Sequence, residues 1–211
     1  MKLKWRQLPL GPLQTNAYVL RNDKKECVIF DPGHEGEKLI SYLQQEGLTP
    51  LAVLLTHAHF DHIGAVDDVR DAYKIPVYLH KEEQYWLSDP ELNGSYLFMT
   101  NREITAKPAD RLIEREGELT IGSFTFTILE TPGHSPGSVS YYCKEAGAVF
   151  SGDALFQMSI GRTDLPGGSF NELMMSIENK LFSLPDDTAV LSGHGPKTSI
   201  GFEKANNPFL K

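Results

Sequence analysis

The sequence predicts an α/β protein built from two sheets with helices outside them. Three observations carry this. Short β-type runs alternate with amphipathic helical stretches along 211 residues, long enough for a sizeable core. The order of strands followed by helix occurs twice, which suggests two sheets packed face to face. Ligand-type residues follow several of the strands, where chain turns gather side chains.

In chain order, Asn16 to Arg21 and Cys27 to Phe30 read as a hairpin around Asn22-Asp23-Lys24-Lys25, ended by Asp31-Pro32-Gly33. Glu37 to Gln45 is an amphipathic helix with Leu39, Ile40 and Leu43 on one side, closed by Gly47. Ala52-Val53-Leu54-Leu55 is a buried strand running into His57, and Ile63, Val66, Val69 and Tyr73 have helical spacing from about His62. Val77-Tyr78-Leu79 is a further strand. Lys81 to Asp110 reads as part helix and part irregular excursion, its aromatics serving packing and its length suiting a lid. In the second half, Leu119–Ile121, Phe124–Leu129, Val139–Cys143, Ala148–Ser151 and Ala189–Leu191 are strands, and Phe170 to Leu181 is a helix with Leu173, Ile177 and Leu181 inward.

Composition excludes several classes. No run spans a membrane, and the basic start Met1-Lys2-Leu3-Lys4-Trp5-Arg6 has no apolar core or cleavage site behind it, so a cytoplasmic protein is expected. A net charge of −8 without a Lys/Arg cluster argues against a nucleic-acid partner. Cys27 and Cys143, without C-x-x-C spacing, are expected as buried reduced thiols.

Thr56-His57-Ala58-His59-Phe60-Asp61-His62 is the strongest motif. His57 and His59, two residues apart in extended chain, leave on the same side and can close on one ion; Asp61 and His62, at the turn into the helix, can face a second. His134 in Thr131-Pro132-Gly133-His134, Asp153 in Ser151-Gly152-Asp153 and His194 in Ser192-Gly193-His194-Gly195 add ligand types at strand ends, beside glycines that let the backbone turn sharply.

These motifs resemble the metallo-β-lactamase superfamily over nearly the whole chain and, within it, the short bacterial glyoxalase II (hydroxyacylglutathione hydrolase) branch. The resemblance implies an αββα sandwich of two mixed β-sheets flanked by helices, formed by residues 1–211 as a single domain without a separate helical C-terminal domain. It implies His57, His59 and His134 on one ion, Asp61, His62 and His194 on another, and Asp153 as bridge. Two divalent cations are expected, zinc before iron or manganese. The reaction is hydrolysis of a small-molecule thioester such as S-lactoylglutathione by a metal-bound hydroxide that Asp61 orients. Asp31 matches the family's first acidic motif, where it would orient a ligand; a turn-forming role explains it equally. His34 and His80 match no ligand position. Common β-lactamases carry Cys where Asp153 stands, which disfavours lactam hydrolysis, and Gly161-Arg162-Thr163-Asp164 lacks the aromatic that longer glyoxalase II enzymes set against glutathione. Mononuclear iron persulfide dioxygenases share much of that segment and form the alternative; a non-catalytic metal-binding protein is the third reading. In an acidic chain, Arg162, Lys197 and Lys204 are candidates for the anionic end of the substrate, against the plainer reading that Arg162 pairs with Asp164 and the lysines are solvated. The sequence leaves the oligomeric state open.

Overall fold

The structure, a computed structural model, describes residues 2–99 and 103–210. Met1, Lys211 and residues 100–102, the last within the stretch suited to a lid, lie outside the described residues. The chain divides into two compact units, residues 1–114 and 115–211.

The first unit is a six-stranded mixed sheet. Its strands are β1 (Lys4–Leu10), β2 (Thr15–Arg21), β3 (Glu26–Phe30), β4 (Thr49–Leu54), β5 (Val77–His80) and β6 (Arg111–Ile113), lying side by side in chain order. β1, β2 and β3 pair antiparallel; β3 to β6 are parallel. Parallel neighbours need crossovers, and α1 (Gly36–Gln45) supplies the one between β3 and β4. Between β4 and β5 run α2 (Phe60–Ile63) and α3 (Val66–Tyr73). Leu39 and Leu43 of α1 and Val66 and Val69 of α3 pack in one core with Val19, Ile29, Val53 and Val77 of the strands. β4 is central, and Ala52, Val53 and Leu54 are fully buried, which explains its unbroken apolar run.

The helix expected from His62 to Tyr73 is two helices. Gly64 and Ala65 separate them because the Asp31-Pro32-Gly33 turn presses there: a Cβ on Gly64 would lie 2.4 Å from the Gly33 carbonyl oxygen, and Ala65 N–H donates to Pro32 C=O. The stretch 81–110 contains two 3₁₀ turns, Lys81–Glu83 and Trp86–Ser88, and the single-turn α4 (Ser95–Phe98). Trp86 and Leu87 are buried as packing residues, but Tyr85, Tyr96, Leu97 and Phe98 are exposed, so only part of that aromatic run is core. Buried Asn93 ties the excursion down. Its Nδ2 donates to Trp86 and Ile104 C=O, and its own C=O accepts from Phe60 N–H at the start of α2.

The second unit is another six-stranded mixed sheet. β7 (Gly117–Ile121), β8 (Phe124–Glu130), β9 (Val139–Cys143) and β10 (Ala148–Gly152) precede the small hairpin β11 (Leu155–Phe156) and β12 (Ser159–Ile160), then β13 (Ala189–Ser192) and β14 (Thr198–Ser199). The order is β14-β13-β10-β9-β8-β7, with only β10 and β13 parallel. α5 (Phe170–Asn179) bridges those two and buries Leu173 and Ile177, joined by Leu181 from the 3₁₀ turn that follows, against Val149 and Val190. Ser169 caps α5 by accepting from Glu172 N–H, and Ser199 caps the last helix, α6 (Ile200–Asn206). No helix among the described residues is long and apolar enough to cross a membrane.

Cys27 and Cys143 are both buried free thiols, and burial raises them, Cys27 to about 12 and Cys143 to about 11. Native protein at pH 8 should therefore show almost no reaction with Ellman's reagent, and two thiols per chain in 6 M guanidinium. A thiol that reacts at once in the native state would contradict this packing.

Candidate functional site

In the first unit, β4 delivers the chain to Thr56, and His57, Ala58 and His59 follow in extended loop before α2 begins at Phe60. The His57 and His59 rings stand on the same side, 4.8 Å apart, and the His62 ring lies 4.1 Å from His57. Buried Asp31 organises them. Its Oδ1 accepts from Thr56 N–H at 2.8 Å, and its Oδ2 accepts from Thr56 Oγ1 at 2.7 Å and faces His62 Nδ1 at 3.1 Å. Since the Thr56 hydroxyl proton is committed to Asp31, its oxygen accepts from His57 Nδ1, 3.0 Å away. Both imidazoles are thereby held in the tautomer that carries a lone pair on Nε2, the ligating form. Asp31 also has φ +45°, a left-handed turn that Asp tolerates, so the turn and the contact with His62 are made by the same residue. Gly33 is dictated by the same packing: a Cβ there would stand 1.6 Å from the Asp61 carbonyl oxygen.

Asp61 is fixed by Thr15, whose hydroxyl donates to its Oδ2 at 2.7 Å, and that oxygen lies 3.6 Å from His62 Nε2. Glu83, fully buried, accepts from Ala58 N–H at 2.6 Å and so holds the backbone between His57 and His59. The sequence reading overlooked Thr15 and Glu83. Thr15 stands just before the β-type run read from Asn16, and Glu83 sits in a charged stretch that looks like solvated surface.

In the second unit, three strand ends meet. β8 leads to His134, β10 to Asp153 and β13 to His194. His134 Nδ1 donates to the Arg162 carbonyl at 2.8 Å, again leaving Nε2 as the ligating nitrogen. Gly133, at φ +125°, lies against α5, where a Cβ would come within 2.2 Å of Leu173 N. Asp153 Oδ2 stands 3.6 Å from His134 Nε2 and 3.4 Å from His194 Nε2. These separations exceed a good N–H···O hydrogen bond of about 2.7–3.2 Å. The 3.4 Å separation falls within, and the 3.6 Å one just beyond, the roughly 3.3–3.5 Å between two ligands that each lie about 2.0–2.1 Å from one tetrahedral ion. The Asp61–His62 pair has the same character.

The candidate substrate residues are placed differently. Arg162 forks onto Asp164 through Nε and Nη2, both at 2.7 Å, and holds that carboxyl down at about 2. Lys204 Nζ lies 2.6 Å from Asp186. Lys197 lies in the loop between β13 and β14. His34 packs on Gly11, and His80 accepts weakly from Glu82 N–H at 3.4 Å; neither joins the ligand clusters.

Imidazoles of fixed tautomer and carboxylates follow strand ends in each unit, and they are the donor types that hold divalent metal ions. Residues 10–194 match the metallo-beta-lactamase superfamily. The chain belongs to that superfamily and has its fold. It is 60% identical to the probable metallo-hydrolase YqgX of Bacillus subtilis, over 99% of this chain and 98% of that protein. It is 38% identical to the hydroxyacylglutathione hydrolase GloC of Haemophilus influenzae, over 96% of each. Among solved structures, the BLEG-1 B3 metallo-beta-lactamase superposes with TM-score 0.96 at 63% identity, over 99% of this chain and 100% of that one. TTHA1623 in a di-iron-bound form gives 0.86 at 44%, over 97% and 100%. ETHE1 from Myxococcus xanthus gives 0.77 at 31%, over 97% and 83%.

Asp31→Asn keeps the size but supplies one acceptor oxygen where three donors converge. It should destabilise the metal-free protein by about 2–4 kcal/mol in urea unfolding and weaken zinc affinity by about 10–100-fold in chelator competition. Unchanged values in both would show that Asp31 organises nothing.

Proposed function

We propose that this chain is a cytoplasmic dinuclear metallo-hydrolase that cleaves a small acyl thioester, with S-lactoylglutathione as the reference substrate. The observation that carries the reading is the single oxygen Asp153 Oδ2 set between the Nε2 atoms of His134 and His194 at ligand-to-ligand distance from each. A carboxylate so placed is within reach of two ions, one beside each histidine, and we take it as their bridge. His57, His59 and His134 then hold one and Asp61, His62 and His194 the other, and the ions are zinc, with iron or manganese as substitutes. When bound, two such cations lower the pKa of a shared water from about 15.7 toward about 7 and polarise the acyl carbonyl.

The chain's own groups do the rest. Asp61, anchored through Oδ2 by Thr15, orients the attacking water with its other oxygen. The water oxygen bonds to the acyl carbon and the C–S bond breaks. The products are a carboxylic acid and a thiol, and the thiolate leaves readily because thiols are acidic, near pKa ~8.5. No nucleophilic side chain is consumed. Arg162, Lys197 and Lys204 recognise the anionic thiol carrier; surface pairs such as Arg162–Asp164 are worth about 0–1 kcal/mol, so an anionic substrate can recruit these cations. Similarity to GloC supports the thioester.

Two other readings have a specific observation each. Likeness to ETHE1 and to a di-iron protein favours an iron sulfur enzyme such as a persulfide dioxygenase. The 63% identity to BLEG-1 favours a lactam as the acyl substrate, despite Asp153 in place of Cys.

Metal analysis beside three assays decides: S-lactoylglutathione hydrolysis, oxygen uptake with glutathione persulfide, and hydrolysis of a chromogenic cephalosporin. The expected result is two ions per chain and thioester cleavage; one iron with oxygen uptake would overturn the proposal. Asp153→Ala should lose at least one ion and at least ~100-fold in kcat. Arg162→Gln should raise KM severalfold at low salt with kcat little changed, whereas an unchanged KM would assign Arg162 to Asp164 alone.

A further inference from the structure

We infer that Glu203, a buried carboxylate on α6, is a positioning residue for the three candidate ligands of the second unit, acting through the β11–β12 hairpin and the loop that carries His194. Its side chain is fully buried and gathers three donors. Oε2 accepts from Met158 N–H at 2.9 Å and from Asn207 Nδ2 at 2.8 Å, and Oε1 accepts from Thr198 Oγ1 at 2.5 Å. Asn207 Nδ2 also donates to Ser159 C=O at 3.0 Å, so Glu203 and Asn207 together grip the turn of the hairpin. Burying a carboxylate is costly, and a helix that had only to pack would carry an apolar residue at this position.

What Glu203 holds is the stretch that strings the ligands together. The hairpin starts just after Asp153 and returns at Gly161 and Arg162. At the return, Gly161 N–H donates to Ala154 C=O at 3.3 Å, and the Arg162 carbonyl accepts from His134 Nδ1 at 2.8 Å. Between these two feet the Phe156 ring stands edge-on to His194, with centroids 6.1 Å apart. Asp153 is thus continuous with one foot, His134 is bonded to the other, and His194 rests against the strand between them. Thr198 opens β14 at the far end of the loop from His194, so the same carboxylate fixes that loop too. The hairpin cannot keep its shape alone. Its strands are 2 residues each, and its turn sets Met158 at φ +57°, a left-handed conformation that favours glycine and persists only where the surroundings hold it. The bond from Met158 N–H to Glu203 is that hold. The role rests on the reading of His134, Asp153 and His194 as metal ligands.

The test uses the full chain as wild type, Glu203→Ala, Glu203→Gln and Phe124→Leu, the last a buried change at the start of β8, away from the ligands. Two quantities are read beside urea unfolding: zinc affinity by chelator competition and, in the metal-free protein, the NMR signal of the His134 Nδ1 proton, which its bond to the Arg162 carbonyl protects from exchange. Glu203→Ala should weaken zinc binding about 10–100-fold and lose the ring-proton signal. Glu203→Gln, whose amide oxygen can face Met158 and Asn207 while its NH2 turns to the Thr198 oxygen, should keep the signal and hold zinc within about threefold of wild type. Phe124→Leu should unfold at lower urea with both quantities unchanged. A Glu203→Ala protein that keeps the signal or wild-type zinc affinity, a Gln variant as impaired as the Ala one, or a Phe124→Leu protein impaired like Glu203→Ala would each overturn the role. If wild type binds no zinc, the metal reading fails by itself, and the ring proton alone decides the positioning role. Should Glu203→Ala not fold, Asn207→Ala takes its place, cutting the bond to Ser159 C=O while the carboxylate stays; the signal should again disappear, and its persistence would overturn the role.

Discussion

The buried carboxylate of Asp31 is the constraint on which the first ligand cluster depends. It accepts from an amide, a hydroxyl and an imidazole, and the hydroxyl passes its effect on to His57. One side chain thus sets the tautomers of two histidines. Charge-assisted hydrogen bonds of this kind are each worth about 1.5–3 kcal/mol, but the greater leverage lies in the asymmetry: removing the acceptor leaves buried donors unmet. The fit demands glycine at position 33, because the turn that carries Asp31 inward brings its backbone against the Asp61 carbonyl. Local backbone shape and ligand geometry are therefore one requirement here.

The second unit reaches the same end with backbone. His134 is oriented by the Arg162 carbonyl, and a Cβ at position 161 would lie 1.8 Å from the Asp153 carbonyl oxygen, so glycine lets that segment run against Asp153. Arg162 is thus useful through its main chain whatever its side chain does. A fixed imidazole whose Nδ1 meets a carbonyl is a weaker base than one that meets a carboxylate, so His62, against Asp31, should be the more strongly donating ligand.

The candidate ligands stand out in the sequence because each follows an apolar strand at a glycine-marked or helix-starting turn, a context in which bare polarity has little other use. The supporting residues were not. Thr15 and Glu83 donate to and accept from residues 46 and 25 positions away, respectively, and no local pattern encodes that. β1 escaped because the basic start Met1 to Arg6 was weighed only against a signal peptide; at a sheet edge charges such as Lys4 and Arg6 protect against pairing with another chain. The break between α2 and α3 was hidden because Ile63, Val66, Val69 and Tyr73 keep helical spacing across it, while its cause, the turn at Gly33, lies thirty residues earlier. The pairing of Arg162 with Asp164 was visible as a possibility, and only coordinates could tell a fork at 2.7 Å from two solvated charges.

Electrostatics link the clusters to folding. Carboxylates are costly to bury, and here Asp31, Glu83 and Asp153 are all buried, in a chain of net charge −8. Hydrogen bonds to amides and hydroxyls offset part of that cost, yet they leave the negative charge in place, and its potential draws cations to these strand ends. Divalent ions bound there favour the folded state over the unfolded one by RT ln(1 + [M]/Kd), so the feature that taxes the metal-free fold becomes a source of stability in the loaded protein.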